Sequence, residues 1–90
     1  MALTAGSRPR LWRLARLDFD RVRQRRVLLY PEGAMFINNT GAAILELCDG
    51  TRTIGEIART LGERYHAEVD ADVLEYLAGM AQRDLVTAND

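Results

Sequence analysis

Few side chains in this 90-residue sequence are of a kind that does chemistry, and their spacing decides what they can do. General acid–base catalysis needs a histidine or carboxylate with an orienting partner in reach. The single histidine, His66, closes an apolar-periodic stretch, where a helix end uses it to complement the last carbonyls. The single cysteine, Cys48, falls on the apolar face of a short helical stretch, so an inert buried thiol is expected over a nucleophile. No Cys–His spacing resembles a zinc set. Asp70, Asp72 and Glu75 stand close together, but a helix start explains them without a metal. The seven glycines read as turn and helix-end residues, and none belongs to a phosphate-cradling loop. Trp12 stands alone and reads as a lid on the core edge. No enzyme and no cofactor are expected.

Charge is the second source of chemistry. All twelve basic residues are arginine, and the net charge is −1. Residues 1–30 carry eight arginines against Asp18 and Asp20, whereas residues 31–90 carry four against eleven acids. A basic front half is compatible with nucleic acid or an acidic peptide, and equally with solvated arginines on strands and turns. Interleaved Leu, Trp and Val make this half part of a fold and not a tail.

Ninety residues make one domain with a small core. Hydrophobic residues are 48% and charged residues 28%, the balance of a soluble globular chain. The longest apolar run, Val27–Pro31, is far short of the ~20 residues of a membrane helix. The N-terminus lacks a basic, then apolar, signal pattern. One cysteine allows no internal disulfide, which fits a reducing compartment, the cytoplasm.

The elements that would position a site follow from period and punctuation. Residues 1–9 read as a loose arm and residues 10–87 as the domain. From Leu11 to Tyr30 the pattern admits both strand and helical turn. Tyr30-Pro31-Glu32-Gly33 has turn chemistry, and the short apolar runs flanking it predict a hairpin, completed by an earlier strand near Ala15–Phe19. Asn38, Asn39 and Thr40 offer caps for a first helix bearing Ile44, Leu47 and Cys48, stopped by Asp49-Gly50. Thr53-Ile54-Gly55-Glu56 is a capping box, followed by a face of Ile54, Ile57, Ala58, Leu61 and Tyr65. A third helix starts near Asp70 or Asp72, with Val73, Leu74, Leu77, Met80 and Ala81 on its apolar face. Leu85 and Val86 pack back afterwards. The fold class is therefore α+β: a three-stranded antiparallel sheet followed by three helices, winged helix-turn-helix-like.

That outline permits a DNA-binding regulator. A recognition helix needs basic residues, however, and residues 70–84 carry Arg83 against Asp70, Asp72, Glu75 and Asp84. Nucleic acid is thus the lesser reading. A small sheet has open edges that accept an added strand. The strand Ala34–Ile37 carries no charge to block addition. Beside the third helix it would floor a groove with Met35, Ile37, Leu77 and Met80, although Ile37 and Leu77 also suit a plain core.

The strings Leu28-Leu29-Tyr30-Pro31-Glu32-Gly33, Ile37-Asn38, Ile44-Leu45-Glu46-Leu47-Cys48-Asp49-Gly50 and Thr53-Ile54-Gly55-Glu56-Ile57, in this order, resemble the PqqD family of pyrroloquinoline quinone (PQQ) biosynthesis. The likeness runs from about Pro9 to Val86. Gly41 departs from it, the family usually having Ala there. The resemblance implies a non-catalytic peptide chaperone, a recognition element for a ribosomal precursor peptide. It also implies presentation of that peptide to a radical S-adenosylmethionine enzyme, which joins a Glu and a Tyr. The family takes the peptide as an extra strand on the third strand, against the third helix. The expected peptide-binding residues are Ala34, Met35, Phe36 and Ile37 on the strand, with Leu74, Leu77, Met80, Ala81 and Arg83 on the wall. Arg83 is either solvated or paired with a peptide carboxylate. The chain is expected as a monomer or a strand-exchanged dimer, with no membrane partner.

Overall fold

The computed structural model describes residues 3–89. Strand β1 (Arg8–Leu11) is followed by β2 (Arg16–Asp20), β3 (Arg25–Tyr30) and β4 (Gly33–Ile37). Helices α1 (Asn39–Glu46), α2 (Ile54–Tyr65) and α3 (Asp70–Gln82) come next, and β5 (Val86–Asn89) closes the chain. Strands β2, β3 and β4 form the expected antiparallel meander, in that order. Pro31 and Glu32 make its second turn, with Tyr30 opposite Gly33. In the first turn the Asp20 carboxylate accepts from Arg23 N at 3.0 Å and Gln24 takes a positive φ.

The three helices form for the local reasons visible in the residues. Asn38 caps α1, its side chain accepting from Gly41 N at 2.7 Å. Thr53 and Glu56 complete a reciprocal capping box on α2, at 2.8 and 3.1 Å. His66 ends α2 in the left-handed conformation, its N–H donating to Gly62 O. Asp70 and Asp72 occupy the first turn of α3, although Val69 supplies no side-chain cap. Leu28 of the sheet, Ile54, Ile57 and Leu61 of α2, and Val73 and Leu77 of α3 are fully buried in one core. Leu85 and Val86 join it as expected.

The N-terminal arm is corrected. Residues 1 and 2 lie outside the described residues, but Ser7 is completely buried and Pro9 nearly so. Ala5 O and Ser7 O accept from Gly55 N and Ile54 N at 2.9 Å, which satisfies donors at the start of α2. Strand β1 pairs antiparallel with β5, from Arg8 opposite Asn89 to Leu11 opposite Val86. On its other side Gly50 N donates to Pro9 O and Leu11 N to Cys48 O, both at 3.0 Å. The folded unit therefore begins before residue 10 and runs past residue 87. This second sheet ties residues 8–11 and 86–89 to each other and, through Pro9 and Leu11, to the segment after α1.

Candidate functional site

A three-stranded meander has two edges, and the structure distinguishes them. A groove of about 580 Å³ runs along β4, between it and α3. Its sheet side is Met35, Phe36, Ile37 and Asn38. Its helix side is Asp72, Glu75, Tyr76, Gly79, Met80 and Arg83. Strand β4 pairs with β3 alone, so its far edge is open.

The register fixes which backbone groups that edge offers. Tyr30 and Gly33 close a two-residue hairpin, which makes them a hydrogen-bonded pair. Bonded and non-bonded pairs alternate along an antiparallel ladder, so Met35 and Ile37 bond to β3. Ala34 and Phe36 turn their N–H and C=O groups to the open edge. The side chains alternate too: Ile37 is buried and Met35 half-buried on the core side, while Ala34 and Phe36 are exposed. On that outer face the Arg25 guanidinium lies 4.4 Å from the Phe36 ring centroid and that of Arg23 5.8 Å, within cation–π range. The basic front half thus places two cations on the outer face, beside the open edge.

The structure divides the residues of the expected wall among different places. Met80 and Arg83 line the groove with Met35, Phe36 and Ile37. Leu77 is 0% exposed and belongs to the core. Leu74 and Ala81 line a different hollow with Leu3, Ala71, Ala78 and Gln82. Helix geometry gives the reason. At roughly 100° per residue, positions 72, 76, 79, 80 and 83 share one stripe, and positions 74 and 81 lie roughly 160–180° away. The apolar face read from the sequence merged the core side with the far side.

Groove residues that sequence reasoning missed are Asn38, Asp72, Glu75, Tyr76 and Gly79. In sequence, Asp72 and Glu75 read as part of a helix start. By composition Gly79 reads as a turn or end glycine, but it lies inside α3. The i, i+3, i+4, i+7 spacing from Asp72 through Glu75, Tyr76 and Gly79 was the available signal. Tyr76 bears the one buried side-chain polar atom without a hydrogen-bond partner among the described residues, its hydroxyl. Burial, with a smaller push from Cys48, raises its pKa above the usual tyrosine value. Gly41 makes room for that hydroxyl: a Cβ there would lie 2.6 Å from the oxygen. The departure at Gly41 thus has a packing reason.

Burial, aided by the Asp49 charge, pushes the Cys48 thiol up to about 12, and its Sγ donates to Ile44 O at 3.3 Å. No group of three metal-ligating side chains occurs among the described residues. No described helix is long and apolar enough to cross a membrane.

An open strand edge bordering a groove walled by one helix is the geometry of a small recognition domain. The family described as Coenzyme PQQ synthesis protein D (PqqD) matches residues 25–86, and the chain belongs to that family. It is 39% identical to a Rhodopseudomonas palustris protein named PqqA binding protein, over 97% of this chain and 88% of that one. A Klebsiella pneumoniae protein of the same name is 40% identical, over 83% of this chain and 84% of that one. It is also 42% identical to the bifunctional coenzyme PQQ synthesis protein C/D of Methylorubrum extorquens, of which it spans only 23%. The solution structure of the PqqD truncation of Methylobacterium extorquens PqqCD superposes with a TM-score of 0.82 at 40% identity, covering 96% of this chain and 95% of that one. That truncation is described as a functional, stand-alone recognition element for ribosomally synthesized and post-translationally modified peptides.

Proposed function

We propose that this chain is a non-catalytic peptide chaperone of PQQ biosynthesis. It takes the ribosomal precursor peptide as a fourth strand on β4 and presents it to a radical S-adenosylmethionine enzyme. The observation that carries this reading is the open edge of β4 running beside the groove of α3. The names of the relatives, PqqA binding proteins and a peptide recognition element, support it. Ala34 and Phe36 supply the backbone bonds. Met35, Ile37, Tyr76 and Met80 contact the side chains that point inward, and Asp72, Glu75 and Arg83 rim them. Two or three such side chains at ~1.5–3 kcal/mol each and about four backbone bonds at ~0.5–1.5 kcal/mol each, less several kcal/mol for ordering the peptide, span a range that includes micromolar affinity. A chaperone that must release its cargo works in that range. A cytoplasmic location belongs to the same reading.

The test is titration of synthetic PqqA peptide by calorimetry against wild type and Ala34→Pro. Proline is tolerated on an edge strand where its nitrogen faces outward, so the β3–β4 ladder survives. Affinity is expected to drop by at least about tenfold, the worth of one to two backbone bonds, with cooperative unfolding retained. Equal affinity in Ala34→Pro would refute strand addition on β4. Binding of duplex DNA through residues 8–26, lost on adding salt, would favour a regulator instead.

A further inference from the structure

Glycine inside a helix is destabilising, so it needs a reason. Two glycines of this chain have one in the folded chain itself. A Cβ on Gly41 would strike Tyr76, and one on Gly62 would lie 2.8 Å from Ala67 O. Gly79 has none. It lies within α3, takes no positive φ, and a Cβ built on it would meet nothing within 4 Å. The unbound chain therefore gains no packing from the missing side chain. Gly79 nevertheless lines the β4–α3 groove, on the stripe shared with Tyr76, Met80 and Arg83.

We infer that Gly79 is a specificity notch, a stretch of bare helix on which one large apolar side chain of the bound peptide lies. This rests on the strand-addition reading and adds a residue preference to it. A strand on β4 sends alternate side chains toward α3. The one opposite Gly79 meets half-buried helix backbone, with Tyr76 and the mostly buried Met80 beside it on the groove lining and the exposed Glu75 and Arg83 at the rim. Those flanks are apolar and, at Met80, conformationally adaptable, which suits a leucine-sized or aromatic side chain. A methyl group at position 79 would occupy the floor of the notch, and a longer side chain would fill it.

The experiment measures stability and affinity on the same variants, Gly79→Ala and Gly79→Leu. If the notch serves the guest, the two quantities move in opposite directions. Melting temperature is expected to rise by about 4–8 °C for Gly79→Ala, the gain of a good helix former in a chain this size. Affinity for synthetic PqqA peptide is expected to fall severalfold in Gly79→Ala and by more than about tenfold in Gly79→Leu. Single Leu, Ile, Tyr and Phe to Ala changes in the peptide then locate the partner. At that position alone, the loss on peptide truncation shrinks in Gly79→Leu. Wild-type affinity in both variants would overturn the notch, and the strand-addition reading would survive provided Ala34→Pro still binds weakly. A lower melting temperature in Gly79→Ala would overturn it too, by assigning the glycine to the fold. Failure of wild type to bind the peptide would remove the parent reading and the notch together.

Discussion

A single hydroxyl shows how tightly the groove is coupled to the helical layer. The Tyr76 oxygen is buried without a partner, over a glycine that leaves it just enough room. Gly41→Ala forces the ring to shift, and it is expected to destabilise the chain by about 1–3 kcal/mol despite alanine's better helix propensity. Tyr76→Phe removes an unsatisfied group and is expected to leave stability unchanged or raise it by up to about 1 kcal/mol. Urea denaturation checks both. A clear loss of stability in Tyr76→Phe would mean that the hydroxyl has a partner. This coupling was not legible beforehand. In sequence, Gly41 shows only its cost to α1, and nothing joins positions 41 and 76 until α1 and α3 are packed.

Elements that depend on their own residues were legible. The Thr53–Glu56 box, the Asn38 cap and the Pro31-Glu32 turn are each decided within four residues, and each stands where the spacing put it. The box also predicts a pH dependence. The Thr53 N–H donates to the Glu56 carboxylate and holds its pKa below the usual value. Asp49 is lowered likewise by the Thr51 hydroxyl and N–H, and Asp20 by the Arg23 N–H. A carboxyl whose pKa is lower folded than unfolded adds stability above the unfolded value, and loses it as pH falls through the folded one. Melting temperature is therefore expected to fall between about pH 5 and pH 3, and to fall less in Glu56→Gln, which keeps an acceptor but no titrating proton. Equal slopes in the two proteins would remove Glu56 from the account. Strands β1 and β5 were not legible, because each is four residues long and takes its shape from the other. The face of α3 was half legible: period identifies an apolar stripe, but not which neighbour each residue meets.

At the scale of the whole molecule, β1 and β5 are tied together and the sheet edge at β4 is left free. The β1–β5 clamp also caps α2 through Ala5 and Ser7. Deleting residues 1–11 is expected to lower the melting temperature by more than about 10 °C, the equivalent of about 2 kcal/mol in a domain of this size. A true arm would be lost without effect. The charge asymmetry follows the same division. Arginines populate the strands, while acids sit on the groove wall of α3 at Asp72 and Glu75. That wall would repel a phosphate backbone. The most direct measurement of the central claim is amide hydrogen exchange on β4 with and without synthetic PqqA peptide. Met35 and Ile37, already bonded to β3, should be protected in both states. Ala34 and Phe36 should exchange fast alone and become protected by at least about tenfold when the peptide pairs with them. Unchanged fast exchange at Ala34 and Phe36 under saturating peptide would contradict a strand added to this edge.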